Sequence, residues 1–157
     1  MGYCVMPNWC EGTLRARGSK ENLTEFLKKS LVKQIFEPPL FIKEEPVQID
    51  DELEEIEIPQ KTRIIGLGRC FIEADYIFPR NSKLYVVAIP CKTSWSFKAE
   101  TLLDLATKYK IDIRVYGFEL GMEFNQDIEI IDGKITKDNC IEFDDYDWDC
   151  IMPSLGG

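Results

Sequence analysis

Three patterns follow one another without interruption between Leu84 and Phe118, and they restrict the fold more than any other feature of the sequence. Leu84 to Ile89 is an apolar run whose consecutive Val86, Val87, Ala88 and Ile89 predict a central strand buried on both faces. Ala99 to Tyr109 then repeats Leu102, Leu103, Leu105, Ala106 and Tyr109 on one broad helical face. Ile111 to Phe118 alternates Ile111, Ile113 and Val115 against Asp112, Arg114 and Tyr116, the period of a half-buried strand. Strand, helix and strand in that order call for a sheet with the helix laid across it.

The N-terminal half supplies matching parts. Thr13 to Arg17 sets Leu14 and Ala16 against Arg15 and Arg17, a short half-buried strand ended by Gly18. Ser19 is a good N-cap for a helix carrying Leu23, Phe26, Leu27 and Leu31 on one face, with Lys28, Lys29 and Lys33 towards its C-terminal end. Arg63 to Phe78 is β-rich, broken by Gly66 and Gly68, and predicts an antiparallel partner for the 84–89 run across a turn at Asn81 and Ser82. Asp132-Gly133, flanked by Ile128, Ile130 and Ile135, is a strong hairpin signal. The order predicts an α+β fold: a ferredoxin-like split βαβ (βαββαβ) with an acidic insertion and an added C-terminal hairpin. At 157 residues this is one domain, and Leu14, Phe26, Val87, Leu102 and Val115 are expected to share its core.

Charge is concentrated in two places. Lys43 to Glu57 holds eight carboxylates and one lysine, and Asp138 to Cys150 holds six carboxylates and no base. The chain totals −9, so everything outside these two segments is net +4. Residues 37–60, with Pro38, Pro39, Pro46 and Pro59, read as an acidic insertion from which Leu53, Ile56 and Ile58 dock on the body, and 138–157 as an acidic tail. Such segments repel a phosphate backbone and suit a basic protein surface, which disfavours direct sequence-specific nucleic-acid binding. The six cysteines (Cys4, Cys10, Cys70, Cys91, Cys140 and Cys150) show no Cys-x-x-Cys pair, and the chain has no histidine. They read as buried free thiols, with no metal and no cofactor expected. No apolar run approaches the roughly eighteen residues of a membrane span, and the N-terminus lacks the flanks of a secretory signal, so a cytoplasmic location is expected.

Two motif blocks carry a family resemblance. Met6-Pro7-Asn8-Trp9-Cys10, followed by Gly12, Leu14 and Gly18, resembles the opening of the YubB ferredoxin-like proteins, carried mostly by phages, prophages and plasmids. Thr93-Ser94-Trp95-Ser96, then Glu119, Gly121, Met122 and Phe124 ahead of Asp132-Gly133, is similar to the family's later motifs. Together they cover about Met6 to Thr136. The resemblance implies a ferredoxin-like fold, a mobile-element setting and a bacterial host cell, and it implies no reaction. Two departures stand out. Residues 1–5 precede the methionine at which members usually begin and read as an N-terminal extension, and Asn125-Gln126 stand where members tend to have a small residue and glycine.

The candidate sites follow from these patterns. Glu119 and Glu123 bracket Gly121 but have no histidine or nucleophile motif to work with. Gly66-Leu67-Gly68 lacks the third glycine of a dinucleotide loop. Asn8, Trp9 and Cys10 can line a pocket or close one end of the core, and Trp95 sits in a polar loop as a partner anchor or a lid. Asp144-Asp145-Tyr146-Asp147-Trp148-Asp149 interleaves aromatics with carboxylates, which solubility alone does not require.

Three classes stay open: a protein-binding inhibitor, an enzyme acting on RNA or a small molecule, and a structural or regulatory accessory protein of a phage or plasmid. The inhibitor ranks first, as a counter-defence protein of anti-CRISPR or antirestriction type. Its expected partner is a protein with a basic surface, such as a host nuclease or CRISPR effector, and no membrane is involved. The expected contact residues are Asp50, Asp51, Glu52, Glu54, Glu55, Trp95, Asp144, Asp145, Asp147, Trp148 and Asp149.

Overall fold

A computed structural model describes residues 7–39 and 41–151 and shows a mixed α+β fold dominated by one antiparallel sheet. In chain order the elements begin with β1 (Trp9–Gly18), α1 (Lys20–Ser30), β2 (Leu31–Glu37), β3 (Phe41–Pro46), β4 (Ile56–Glu57) and β5 (Thr62–Ile64). They continue with β6 (Cys70–Ile72), β7 (Tyr76–Ile77), β8 (Arg80–Asn81), β9 (Tyr85–Ser94) and α2 (Ala99–Tyr109). The C-terminal part is β10 (Asp112–Glu119), β11 (Phe124–Ile131), β12 (Lys134–Glu142) and α3 (Tyr146–Asp149). The main sheet runs β12-β11-β10-β1-β9-β6-β5-β2-β3, with β8 also on β9, while β4 and β7 form a separate two-stranded ribbon.

β1 is the hub. Leu14 stands opposite Ile89 of β9 on one side and Val115 of β10 on the other, so three strands present one apolar row. Both long helices cover that row. Leu23, Phe26 and Leu27 of α1 and Leu102, Leu105 and Ala106 of α2 are buried in the same core, and the rings of Phe26 and Tyr109 join the helices edge to face at 5.7 Å. Leu14, Phe26, Val87, Leu102 and Val115 all belong to this core and are fully buried. Ser19 caps α1 as expected, its Oγ accepting from the Asn22 amide at 3.1 Å. The hairpin between β11 and β12 turns on Asp132 and Gly133, both left-handed (φ 49° and 70°), as a two-residue primed turn requires.

Four expectations need correction. β9 is central, between β1 and β6, but it is buried on one face only: Ala88 is exposed and Val86 half-buried, because neither long helix covers the opposite face. Arg15, Arg17, Pro90 and Arg114 lie exposed on that open side. Helix α1 stops at Ser30, so Leu31 and Lys33 are strand residues; Leu31 stays in the core as the first residue of β2. The segment 37–60 is not wholly an excursion, since β3 extends the sheet beside β2 and Ile56–Glu57 pairs with Tyr76–Ile77. Val47, Leu53, Ile56 and Ile58 are buried, so the acidic stretch is docked through its apolar residues, three of which the sequence pointed to. The acidic tail likewise begins inside an element: Asp138 to Glu142 belongs to edge strand β12.

The β-rich stretch 63–78 is broken into short strands by left-handed Gly66 and Gly68. Cys10, Cys70 and Cys91 are buried, whereas Cys140 is exposed and Cys150 half-buried, so not every thiol is a core residue. Cys4 and the 1–5 extension, together with the last residues of the tail, lie outside the described residues. Among the described residues no helix is long and apolar enough to cross a membrane.

Candidate functional site

The sequence-predicted contact residues fall into two places. Trp95 and the Asp144–Asp149 group gather at the end of the sheet where β1 begins and β9, β10 and β12 finish. The Asp50–Glu55 group lies elsewhere, on the loop that follows β3 at the opposite edge of the strand order.

The first place is assembled contact by contact from Asn8. Its carbonyl accepts from the Trp95 amide at 2.8 Å, which fixes the chain as it leaves β9. Trp95 is left-handed (φ 67°), a conformation that a bulky residue adopts only where its surroundings impose it. Two residues on, the side chain of Gln126 supplies that constraint: its Oε1 accepts from the Phe97 amide at 2.8 Å and its Nε2 donates to the Phe97 carbonyl at 3.0 Å. The result is an indole that is 53% exposed, displayed to solvent and not closing the core.

Asn8 also supports the turn between β10 and β11. A Cβ on Gly121 would lie 2.6–2.9 Å from the Asn8 side chain, so glycine lets Asn8 pack this closely and any other residue would push its amide aside. The carboxylate of Glu119, almost completely buried, accepts from the amides of Gly121 at 2.6 Å and Met122 at 2.8 Å. Glu119 is therefore committed to its own turn and does not form a catalytic pair with exposed Glu123. Leu120 and Met122 are left pointing outward, 64% and 68% exposed.

The C-terminal segment closes onto this turn. The Phe143 amide donates to the Glu123 carbonyl at 3.0 Å, and the carboxylate of Asp145 accepts from the Trp148 amide at 3.3 Å, capping α3. Tyr146 is buried: its ring meets Phe143 edge to face, and its hydroxyl donates to Asn125. Asn125 in turn reaches Cys150 Sγ at 3.4 Å and the Tyr116 hydroxyl at 3.5 Å. Burial, followed by the neighbouring Cys150, raises the Tyr146 phenol well above its usual range, so it remains a donor. With Tyr146 as the peg, Asp144, Asp145, Asp147 and Asp149 face solvent and Trp148 is 86% exposed.

The Asp50 group is organised differently. Asp50 accepts from the amides of Glu52 and Leu53, holding a local turn, and Asp51 pairs with Lys28 of α1 at 2.6 Å. That hydrogen bond from Lys28 holds the Asp51 carboxyl below its ordinary range. Glu52, Glu54 and Glu55 are exposed.

Asn125 and Gln126 are not among the contact residues expected from the sequence, where the only signal is that they follow Phe124 at the start of an alternating strand. They secure, respectively, the acidic helix and the Trp95 loop. Two of the buried thiols are poor nucleophiles near neutrality: burial, then the nearby Glu119, pushes Cys10 up to about 12, and the neighbouring Cys70 together with burial raises Cys91 well above its ordinary value. Among the described residues no three acidic or thiol side chains converge as a metal site. What the arrangement does is display apolar and acidic groups on a rigid corner. In comparisons with known proteins, no family model matches the chain, and no curated protein or solved structure is significantly similar to it.

Proposed function

We propose that the protein is a non-enzymatic, protein-binding inhibitor of counter-defence type, encoded by a mobile element, that sets the corner around α3 into a basic groove of a host nuclease complex. The observation that carries this reading is Trp148, 86% exposed among four solvent-facing carboxylates on a helix pegged to the sheet by Tyr146. A solvated tail has no use for such a peg. Trp95, Leu120 and Met122 add exposed apolar area at the same end of the sheet. A large aromatic anchor ringed by carboxylates suits a partner whose own surface is cationic, with the indole supplying hot-spot area and the carboxylates steering the encounter. The mobile-element setting and the bacterial host cytoplasm rest on the resemblance of the two motif blocks.

The scaffold supports a ferredoxin-like ancestry in a modified form. β9 and β10, joined by α2, are both antiparallel to β1 and bracket it, which is one split βαβ unit. β1 and β2, joined by α1, bracket β9 more loosely, because β5 and β6 stand between β9 and β2.

The test is a titration against an isolated effector nuclease at low and high salt, with and without its guide or substrate nucleic acid. Binding is expected to weaken steeply with salt, to compete with the nucleic acid, and to fall in a variant with Asp144, Asp145, Asp147 and Asp149 changed to Asn. Asn retains the capping ability of Asp145, so the helix stays formed. Binding that ignores salt and survives this neutralisation overturns the acidic-occupant reading.

A further inference from the structure

The open face of the sheet holds a groove of about 650 Å³ that the corner around α3 does not use. Its floor is β6 and β9 with the start of β1, and one wall is made by Ile58 and Asp75 beside the β4–β7 ribbon. This volume is that of a small-molecule site, for which about 300–1,000 Å³ is usual.

Two kinds of group line it. The apolar kind is aromatic and left open: Phe36 of β2 is 67% exposed and its cross-strand partner Ile42 is 58% exposed, although both project into a concave space. Phe71 stands across the groove, its ring edge-on to Trp9 at 6.2 Å. The second kind is cationic. Arg69 and Lys92 lie over the Trp9 ring, 5.5 and 5.2 Å from its centroid, which holds both heads in place. Lys92 is neutralised by Glu73 at 2.8 Å, but Arg69 and Lys61 form no ion pair among the described residues. The lining sets Lys61, Arg69 and Lys92 against Glu73 and Asp75, so in a chain of net charge −9 the groove is locally net positive beside exposed aromatic surface.

We propose that this groove binds a nucleoside phosphate, with the base laid against Phe36 and Phe71 and the phosphate held by Arg69 and Lys61. A planar base supplies the stacking partner that Phe36 lacks, and a phosphate supplies the anion that Arg69 lacks. Gln34 and Asp75, which also line the groove, provide amide and carboxylate partners for base edges and ribose hydroxyls. The occupant is a free nucleotide and not a nucleic-acid strand. The acidic segments repel an extended phosphate backbone, whereas a single nucleotide brings only one phosphate.

Isothermal titration of the full chain with AMP, GMP, CMP and UMP tests this, beside adenosine alone, inorganic phosphate alone and a ten-nucleotide single-stranded RNA. At least one monophosphate is expected to bind saturably and more tightly than adenosine or phosphate alone. Affinity is expected to fall at least tenfold in Phe36→Ala and in the Lys61→Ala/Arg69→Ala double variant. Arg15→Ala, on the same open face but outside the groove, is expected to leave it unchanged. All are surface changes, so the fold is retained. No saturable binding by any monophosphate, binding indifferent to the groove variants, or inorganic phosphate binding as tightly as the nucleotide overturns the proposal. So does an RNA that binds more tightly than every monophosphate and depends on Arg15.

Discussion

The hydroxyl of Tyr146 donates to Oδ1 of Asn125 at 2.5 Å, joining a residue of the acidic helix to a buried residue of β11. Tyr146→Phe leaves that buried oxygen with only the Cys150 thiol as a donor. The expected loss is about 1–3 kcal/mol, the cost of an under-satisfied buried polar group. Hydrogen exchange should quicken at residues 146–150 while the amides of β1 and β9 keep their protection. Identical exchange and an unchanged urea midpoint would show that ring packing alone secures the helix.

Gly12 and Gly117, which face each other across β1 and β10, are predicted to differ in their tolerance of alanine. A Cβ on Gly12 would lie 2.1 Å from the backbone carbonyl oxygen of Tyr116, which is fixed in the β1–β10 ladder. On Gly117 it would meet Cys10 Sγ at 2.7 Å and the Phe97 ring at 3.2 Å, side-chain atoms that can shift. Gly117→Ala is expected to cost about 1–3 kcal/mol as ordinary overpacking. Gly12→Ala is expected to cost more, because strands must part to admit it. Thermal melts of the two variants decide the order, and a reversed order would disprove the ladder geometry.

Val87 sits fully buried at the middle of the sheet. Val87→Asp places an unpaired carboxylate in that core, at several kcal/mol, comparable to the whole stability of such a domain. No soluble protein is expected. A variant that melts like the parent would contradict the strand assignment.

Alkali should weaken the fold through Cys10. Its folded pKa is raised from 9.0 to about 12, first by burial and then by Glu119. The folded state holds this proton more tightly than the unfolded chain, so the stabilisation is complete below about pH 9 and is lost as pH rises towards about 12. Urea titrations across that window should show stability falling with pH, and falling less steeply in Cys10→Ala. Equal slopes in the two proteins would remove Cys10 as the cause.

The elements with strong local periodicity were legible. Helix α2 has the predicted bounds, Ser19 and Asp132-Gly133 do what their chemistry dictates, and the alternation at Leu14–Arg17 and Ile111–Tyr116 gives the buried face. Where the sequence misled, composition had masked pairing. Acidic residues and prolines around 37–60 hid β3, which is completed by its pairing with β2. The apolar run at 86–89 suggested two-sided burial, yet which faces are covered depends on where the helices cross. At the candidate site Trp95, Trp148 and the aspartates were visible as exposed types. Asn125, Gln126 and the supporting role of Asn8 were not, because a buried amide is recognised by its partners and those lie far away in sequence.

The strand order also governs when the molecule can form during synthesis. β1, at residues 9–18, pairs with nothing near it in the chain; its neighbours are residues 85–94 and 112–119. Until β9 has left the ribosome, the apolar side of β1 and the face of α1 have no sheet to join, and contacts this distant in sequence close slowly. The nascent chain therefore carries an unpaired, half-apolar strand until residues 85–94 have emerged, a period in which strand edges invite association with other chains. The eight carboxylates of residues 44–57 emerge within that interval, ahead of β9, and carry the emerged chain from net +3 through residue 43 to net −5 through residue 57, a charge that opposes contact between copies while β1 is unpaired.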